Sequence, residues 1–359
     1  MSNSRGNGIP ITSNRQRINL TSAYRKRIAF ILGLLVFYLL WRRPFGLFIR
    51  EESTKLHASD DASLLLVNDN GTTVERSDCN QTGRYFLGPD FCSDDLSSHP
   101  YLLLIIPSRP GNAKDRAAVR ETWGLHARKQ NVALVFGFGA FGSTNDDLHR
   151  ELRSEHAFFG DLLQITSITD AYHNQTQLML AFLDWGAKNC QSAQFIGKAD
   201  EDTWINIFGV LERLRPLENE TNFILGHIIT GAVVRRLATE KWALTLQEYP
   251  DATYPPFAEG HLYIFPRSSI TSVLQASKRL HMHWIDDVFI GGQIPKFLNM
   301  SLIHIPEWAQ IFDINPKSRD CSGSKYLIIH DVSAVVKRKI YYHPCMRLYR
   351  QIVPPELLP

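Results

Sequence analysis

The segment Phe195–Trp204 places the strongest constraint on how this chain folds, because its apolar start is followed at once by three acids. The apolar residues predict a buried strand, and open α/β sheets bind ligands at the carboxyl ends of their strands. Residues two apart in an extended backbone point the same way, so we expect Asp200 and Asp202 to share a face and Glu201 to point elsewhere. Two such carboxylates, with water and a phosphate, form a site for Mg²⁺ or Mn²⁺. A bare Asp-x-Asp is more often a solvated acidic turn, so the metal-site interpretation depends on the other segments of the sequence.

The sequence around this segment alternates between apolar runs of strand length and helical segments. Besides the acidic segment, strands are predicted at Tyr101–Pro107, Val132–Phe138, Leu162–Ile165, Phe223–Ile229 and His261–Phe265. Helices are predicted just after Asn112 and at Asp146–Phe159, Tyr172–Lys188, Asn206–Leu214 and Arg267–Arg279. The proline pair and glycine of Tyr254–Gly260 predict a rigid turn. Alternation over residues 100–215 predicts an α/β fold, in which helices cover both faces of a mostly parallel sheet.

Two pairs of charged residues lie where such a fold places ligands. Arg116 and Arg120 are four residues apart on the helix after the first strand, so they share a helix face. Such a pair more often forms a cationic solvent face, but the start of this helix is also where an anionic ligand is met. Asp286 and Asp287 precede an apolar turn, as at a helix N-terminus. A capping role is the simpler alternative for either aspartate.

The N-terminal region predicts a membrane anchor. Residues 1–27 contain six cations and no acid and are expected to form a disordered cytosolic tail. The next fourteen residues, Ile28–Trp41, carry no charge, and residues 28–49 together predict a signal-anchor transmembrane segment. A cleaved signal peptide and a buried soluble helix are the alternatives, but no small-x-small cleavage site follows Leu40. The upstream cations orient the N-terminus to the cytosol.

Residues 50–98 are charged and rich in Ser, Asp and Asn, which predicts a lumenal stem. Lumenal topology agrees with glycosylation sequons at Asn70, Asn80, Asn174, Asn219 and Asn299. The five cysteines allow two disulfides and leave one over, and no Cys-x-x-Cys pair indicates zinc. A net charge of +3 is too small to indicate a nucleic-acid partner.

Four short segments follow one another along residues 116–291 of the sequence. They are Arg116-x3-Arg120-x-Thr122-Trp123, Lys198-x-Asp200-Glu201-Asp202, Tyr254-Pro255-Pro256 with Gly260, and Asp286-Asp287-Val288 with Gly291. A weaker fifth segment is Asp170-x-Tyr172-x-Asn174-x-Thr176. Together they cover roughly residues 100–335, and they resemble the β1,3-galactosyltransferase family, the family 31 glycosyltransferases.

This resemblance implies a type II Golgi membrane protein with one lumenal catalytic domain, residues 99–350. The implied fold is the glycosyltransferase A fold, a Rossmann-like mostly parallel sheet flanked by helices, preceded here by a single N-terminal transmembrane helix. Members use Mn²⁺ to transfer galactose or N-acetylhexosamine from a UDP-sugar, with inversion, to the 3-hydroxyl of an acceptor sugar. A homo-oligomer is a further expectation for this protein.

The resemblance further implies a role for each matched residue. Asp287 is expected to be the general base. Asp200, Asp202 and His330 are expected to hold the metal on the UDP diphosphate, although a lone histidine after a strand is more often structural. Expected on the donor side are Arg116, Arg120, Trp123, Lys198, Asp200 and Glu201, and on the acceptor side Tyr254, Glu259, Gly260 and Asp286. An inverting transfer independently requires one carboxylate as base and a cation to offset charge on the leaving diphosphate.

The chain departs from the family pattern at several positions. Asp286 replaces a glutamate, Leu178 replaces a lysine, and His261 begins a triplet where small residues are common. Gln293 replaces a cysteine, which predicts that Cys190 lacks its usual disulfide partner.

From the resemblance as a whole we predict transfer of galactose from UDP-galactose to a glycoprotein or glycolipid acceptor. A UDP-N-acetylhexosamine donor and a non-catalytic lumenal relative are the alternatives.

Overall fold

A computed structural model describes residues 87–89, 100–142, 146–310 and 326–343 of the chain. All of them belong to one of the two units into which the chain divides, Arg76–Pro359. The predicted tail (1–27), the predicted transmembrane segment (28–49), nearly all of the predicted stem (50–98) and the sequons at Asn70 and Asn80 lie outside the described residues. None of the helices among the described residues is long and apolar enough to cross a membrane.

The described residues form ten strands. In chain order they are β1 (Leu102–Pro107), β2 (Val132–Ala140), β3 (Leu162–Thr169), β4 (Phe195–Ala199), β5 (Trp204–Ile205), β6 (Phe223–Ile229), β7 (Phe257–Pro266), β8 (Ser301–His304), β9 (Trp308–Gln310) and β10 (Ile328–His330).

The helices of the described residues lie between these strands. They are α1 (Ala113–Glu121), α2 (Trp123–Lys129), α3 (Asp146–Phe159), α4 (Gln175–Asn189), α5 (Ile207–Leu214), α6 (Ile270–Ser277), α7 (Asp286–Val288), α8 (Ile294–Phe297) and α9 (Ala334–Tyr342). A π-helical turn, Phe289–Gln293, joins α7 to α8.

The larger sheet has the strand order β3-β2-β1-β4-β7-β6-β8. β1 pairs in parallel with β2 and β4, β2 with β3, and β6 with β8. β7 is antiparallel to both of its neighbours, β4 and β6. The predicted mostly parallel sheet with flanking helices is therefore confirmed, and β7 makes it mixed. A smaller sheet has the order β5-β10-β9.

Strand β1 shows why its sequence is apolar without interruption. Leu102, Leu104 and Ile106 pack into the core on one face of the sheet, and Leu103 and Ile105 pack into the core on the other. All five are fully buried. Each such side chain contributes about 1.5–3 kcal/mol of burial free energy, so a strand covered on both faces has no position for a polar residue.

Three predicted elements have different bounds in the structure. The helix that carries Arg116 and Trp123 is divided at Thr122, which has non-helical dihedrals and donates from Oγ1 to Ala118 O (2.6 Å). β3 runs on to Thr169, beyond the predicted four residues. The predicted turn Tyr254–Gly260 is wrong in its second half, because β7 begins at Phe257 and takes up the rest in pairing with β6.

Candidate active site

The three acids of the motif lie in a turn between β4 and β5. Thr203 N donates to Asp200 O (3.1 Å), and β5 begins at the next residue. The carboxylates of Asp200 and Asp202 contact histidines, whereas Glu201 accepts a hydrogen bond from Asn112 at the start of α1, so Glu201 has different partners from its two neighbours. All three acids line the same cleft at the carboxyl end of β4.

Two neighbouring strands bring histidines to this turn. β7 pairs with β4, and Asp200 N donates to His261 O (3.3 Å). β10 pairs with β5, and Val332 N, two residues beyond His330, donates to Asp202 O (2.7 Å). Residues far apart in sequence therefore meet because each belongs to a strand adjacent to the acidic turn.

The acid–imidazole cluster, as we name it, consists of Asp200, Asp202, His261 and His330. One ligand atom each from Asp200, His261 and His330 lies within 4.8 Å of the other two. His330 Nε2 is 3.4 Å from Asp202 Oδ1, and His261 Nδ1 is 3.9 Å from Asp200 Oδ2. The two imidazole rings stack with their centroids 3.6 Å apart.

The carboxylates of this cluster have opposite pKa shifts. Burial raises the pKa of Asp200, and the ammonium of Lys198 opposes that shift only in part. Burial also disfavours ionisation of Asp202, but its contact with His330 lowers its pKa below the ordinary value. Asp202 is therefore the better anion of the two at neutral pH.

The donor set of this cluster fits a transition-metal dication. His330 Nδ1 lies 3.3 Å from Gln310 Oε1, and in the tautomer that donates this hydrogen bond the Nε2 lone pair is available to a metal. Both ring nitrogens of His261 are buried without a hydrogen-bond partner among the described residues. Carboxylate and imidazole ligands together suit Mn²⁺ and its neighbours in the first transition row.

His261 is the residue of this cluster that sequence reasoning missed as a ligand. It was recognised only as a departure from the small residues of the family. The sequence signal that could have identified it is a histidine directly before the apolar run Leu262–Phe265, and in the structure that histidine is 9% exposed. Its proximity to the acids depends on strand pairing, which a single sequence does not specify.

Lys198 connects the acid–imidazole cluster to the start of α7. Its Nζ is 3.0 Å from Asp200 Oδ1 and donates to Asp286 Oδ2 (2.7 Å). Burial lowers the pKa of Lys198, but the two carboxylates outweigh burial and raise it well above the ordinary value. A Cβ on Gly260 would lie 2.7 Å from Nζ and 3.2 Å from Asp200 Oδ2, so glycine makes room for this ion pair.

Asp287 is not a helix cap. The N-cap of α7 is Ile285, and Asp287 Oδ1 accepts a hydrogen bond from Val288 N (2.8 Å) in the first turn. Burial, reinforced by the adjacent carboxylate of Asp286, raises the pKa of Asp287 to about 7. A carboxyl group with a pKa near neutrality is well matched to proton abstraction at physiological pH. Asp286 lines the cleft. Asp287, the next residue of α7, is not among the residues that line it.

The arginine cluster, as we name it, consists of Arg116, Arg120, Glu155 and Asp161. Arg116 is fully buried and donates all five of its N–H groups inside the protein, to both oxygens of Glu155 and to Ser108 Oγ, Arg109 O and Pro110 O. Arg120 forms a bidentate pair with Asp161 (2.8 and 2.7 Å). Neither guanidinium lines the cleft, so the structure gives both a positioning role in place of direct donor contact.

Trp123 also acts behind the cleft. Its side chain is 1% exposed, and its Nε1 donates to Thr203 O (3.0 Å), the residue that follows the three acids. The indole therefore fixes the backbone of the acidic turn from the interior of the protein and not from the cleft. Its position explains why a tryptophan after the arginine pair accompanies the acidic motif.

The cleft itself has a volume of about 430 Å³. One wall comes from the β1–α1 connection, including Ser108, Arg109 and Asn112, and the acids of the motif form the floor. Asn112 Nδ2 donates to Glu201 Oε2 (3.2 Å), and burial raises the pKa of Glu201 to about 7. A protonated Glu201 could donate to an acceptor group of a ligand, which an ionised one could not.

The residues expected on the acceptor side are not all in one place. Asp286 faces the cleft, whereas Glu259 accepts from His227 Nδ1 (2.6 Å) and lies 3.4 Å from His261 Nε2. Burial disfavours its charge, yet the two imidazoles lower the pKa of Glu259 to about 2. Burial raises the pKa of Tyr254 to about 12.

The described sequons differ in exposure. Asn219 and Asn299 are exposed, whereas Asn174 is half-buried and donates from Nδ2 to Thr169 O (3.0 Å). Glycosylation at these sites stays a prediction. Position 293 is Gln, so Cys190 lacks the partner that is usual in the family, but Cys190 is nevertheless disulfide-bonded. The chain's other four cysteines lie outside the described residues.

Comparison with known proteins gives curated relatives. A 1,3-N-acetyl-β-D-glucosaminyltransferase A acting on lactosylceramide, from Xenopus laevis, is 32% identical over 217 residues, 56% of this chain and 57% of that protein. β-1,3-Galactosyltransferase 1 of Homo sapiens is 24% identical over 260 residues, 70% of this chain and 76% of that protein. The chain thus spans little more than half the length of the first relative.

Similarity to solved structures is weaker. The apo structure of the bifunctional glycosyltransferase WbbM covers 70% of this chain and 52% of its own, at 14% identity and a TM-score of 0.39. That score is too low to support a statement about fold or function. A family model described as Galactosyltransferase matches residues 114–306, which are 193 of the 359 residues. This chain belongs to the galactosyltransferase family, the family 31 glycosyltransferases.

Proposed function

We propose that this protein is a metal-dependent inverting hexosyltransferase that moves galactose from UDP-galactose to the 3-hydroxyl of an acceptor sugar on a glycoprotein or glycolipid. The observation that carries the proposal is the meeting of Asp200, Asp202 and His330 at the edge of a cleft, next to a helix that begins with Asp286 and Asp287. Family membership supports the same class of reaction.

In this proposal Asp200, Asp202 and His330 hold Mn²⁺, which would offset the negative charge that builds on the departing UDP. Ser108, Arg109 and Asn112, which precede α1, line the same cleft, so the N-terminus of α1 supplies N–H groups for an anionic donor. The arginine cluster keeps this wall rigid, because Arg116 donates to the carbonyls of Arg109 and Pro110. Donor binding by Arg116, Arg120 and Trp123 is therefore indirect.

Asp287 acts as the general base in this proposal. Inversion requires a single displacement, so the acceptor hydroxyl must lose its proton to a carboxylate that is separate from the metal ligands. A pKa of about 7 leaves Asp287 basic enough to accept that proton and largely ionised just above neutrality. Lys198 forms an ion pair with Asp286, so its positive charge offsets part of the repulsion between the carboxylates of Asp286 and Asp287. Tyr254 and Asp286 stay on the acceptor side in this scheme.

The donor sugar has one close alternative. The names of the relatives include both a galactosyltransferase and an N-acetylglucosaminyltransferase, so a UDP-N-acetylhexosamine is the second candidate. A non-catalytic lumenal relative is the candidate from another class. Asp200, Asp202 and Asp287 are all present, which favours an enzyme over such a relative.

The proposal extends to the setting of the enzyme. The sheet corresponds to the glycosyltransferase A fold, and residues 28–49 anchor it in the Golgi membrane as a single-pass type II protein with a lumenal catalytic domain. Residues 1–27, which precede the anchor, contain six cationic residues and no acidic residue, and this charge distribution supports the orientation. A homo-oligomer is compatible with the proposal.

Incubation of the detergent-purified full-length chain with each UDP-sugar and Mn²⁺ tests the function. We expect release of UDP from UDP-galactose, in the absence of acceptor as slow hydrolysis and faster with acceptor sugars, and its loss in excess chelator. If UDP is released preferentially from UDP-N-acetylglucosamine or UDP-N-acetylgalactosamine, that UDP-sugar replaces UDP-galactose as the proposed donor. Absence of release and transfer with every donor, in protein that still binds UDP, would favour the non-catalytic relative.

A further inference from the structure

His261 is a buried imidazole to which the fold gives no hydrogen bond. Its side chain is 9% exposed, and neither Nδ1 nor Nε2 has a hydrogen-bond partner among the described residues. Glu259 Oε2 lies 3.4 Å from Nε2 and Asp200 Oδ2 lies 3.9 Å from Nδ1, so both carboxylates attract the ring electrostatically but neither forms a well-aligned hydrogen bond with it. Buried side-chain nitrogens almost always have a partner, so a ring with none requires an explanation.

The surroundings of His261 direct it towards the acidic turn. Its ring stacks on His330 with centroids 3.6 Å apart and an interplanar angle of 23°. On its far side it stacks on Trp308 at 5.8 Å. The strand pairing of β7 with β4 fixes the backbone, because Asp200 N donates to His261 O. The ring is thus held in place by packing, while its nitrogens remain unused.

We propose that His261 is an additional protein ligand of the metal, beside Asp200 and His330, and that this second imidazole lets the protein bind a transition-metal dication before any nucleotide is present. The inference deepens the proposed function, because it concerns the metal of the same site. It differs from what the family resemblance implies, since the family commonly has a small residue at this position.

The number and kind of ligands support this inference. Ligand bonds of about 2.0–2.2 Å allow two donor atoms around one ion to lie up to about 4.4 Å apart. The three ligand atoms lie within 4.8 Å of one another, so small side-chain movements suffice. Two imidazoles favour Mn²⁺, Co²⁺ and Zn²⁺ over Mg²⁺, which prefers oxygen ligands and retains its water. A site with carboxylates alone would depend more on the phosphates of the donor.

Titration of the nucleotide-free full-length chain with Mn²⁺, followed by electron paramagnetic resonance of the free ion, tests the inference without any activity measurement. We expect the wild-type chain to bind one Mn²⁺ that about a hundredfold molar excess of Mg²⁺ does not displace. His261→Phe keeps an aromatic ring for the stack and removes both nitrogens, and we expect it to weaken binding at least tenfold, on the scale seen when metal-site partners are lost.

The matched control is His304→Phe, the same substitution in a nearby ring that contacts His227 in a tilted geometry outside the cluster. It should bind Mn²⁺ as the wild type does. His261→Asp places a different ligand at the position and should regain part of the affinity with less discrimination against Mg²⁺. Equal Mn²⁺ affinity in wild type and His261→Phe would overturn the inference, as would a wild-type chain that binds Mn²⁺ only with UDP.

These outcomes separate the inference from the proposed function. If His261→Phe loses Mn²⁺ but the wild type uses no UDP-sugar, the metal site stands and the transferase proposal fails. If the wild type transfers sugar and His261→Phe binds Mn²⁺ unchanged, the transferase proposal stands and the inference fails.

Discussion

The arginine cluster and the acid–imidazole cluster were both assigned to the donor side from sequence, yet they differ in how their polar atoms are used. Every N–H of Arg116 has an acceptor within the protein, and Arg120 forms a bidentate pair with a carboxylate that is 4% exposed. In the acid–imidazole cluster, Asp202 is half exposed and His261 has two unused nitrogens. The first cluster is complete without a ligand, and the second is not.

This difference shows how a charged motif can be divided into scaffold and site. A buried charge whose hydrogen bonds are all satisfied internally has nothing left for a substrate, and breaking its pair is costly. A buried polar atom without a partner is costly until a ligand arrives, so it marks where a ligand binds. Mutations in the two clusters should therefore act on different observables: stability for the first, and binding or turnover for the second.

The largest effect is expected for Asp287→Asn. Loss of a general base typically lowers the rate by about 10²–10⁴-fold, because asparagine cannot accept the acceptor proton. Folding and UDP affinity should persist, since the amide can still accept from Val288 N. kcat with the preferred UDP-sugar, measured beside Tm and UDP affinity, checks this expectation.

Asp146→Asn is the control for this variant, because Asp146 is an exposed carboxylate in the first turn of α3. It should leave kcat unchanged. Near-normal turnover in Asp287→Asn would remove Asp287 from its role as base, and Asp286 and Glu259 would then be the carboxylates to test.

The next effect concerns stability. Asp161→Asn removes one of the two buried countercharges of Arg120 and leaves only Glu155, and breaking a buried pair costs up to about 3–5 kcal/mol. Arg128 also loses its contact with Asp161, at 3.2 Å. Urea unfolding should show this loss, while the folded fraction still binds Mn²⁺ with wild-type affinity. A loss of Mn²⁺ binding in folded protein would show that the two clusters are not independent.

A pH effect should also follow from Asp287, whose pKa is about 7 in the folded protein and about 3.9 in an unfolded chain. The folded state binds the proton more tightly, so this group stabilises the fold below about pH 4 and that contribution is lost as pH rises towards 7. Asp286, Lys198 and Asp200 act on the same carboxyl. Turnover, in contrast, should rise over the same range because the base must be ionised.

Thermal unfolding of wild type and Asp287→Asn between about pH 4 and 8 checks the sign. The variant should gain stability relative to wild type as pH increases. A constant difference in Tm across this range would show that Asp287 has no raised pKa. An activity profile that does not fall below about pH 7 would contradict its use as the base.

The sheet and the acidic turn could be predicted from sequence because their signals are local. An uninterrupted apolar run specifies a strand buried on both faces, as β1 shows, and the acids follow such a run directly. The strand at His261–Phe265 is predicted from sequence, but its antiparallel direction and its start at Phe257 are not, because pairing with β4 and β6 overrides the turn preference of the prolines and glycine. Two residues of the prediction were affected most, Glu259 and Gly260.

The ligands and the scaffold could not be separated from sequence for a related reason. Arg116 and Arg120 have the same four-residue spacing whether they face solvent or the interior, and their partners Glu155 and Asp161 lie on and just after a different helix. His261 meets Asp200 only because two strands pair in one register. Tertiary contacts decide which charges are satisfied, and no pattern within one segment records them.

The smallest effect is expected at an ion pair that is complete but exposed. Glu121 is the last residue of α1, the helix that carries Arg116 and Arg120, and its Oε2 accepts from Arg338 Nε of α9 at 2.8 Å. The distance equals that in the buried pairs, but the two side chains are 56% and 36% exposed. Water and salt screen such a pair, and ordering two long side chains offsets its attraction, so it contributes only about 0–1 kcal/mol. Glu121→Gln should therefore change the urea midpoint far less than Asp161→Asn, and less again at high salt. If the two substitutions cost the same free energy, burial would not be what distinguishes scaffold charges in this protein, and the contrast between the two clusters would rest on ligand-facing geometry alone.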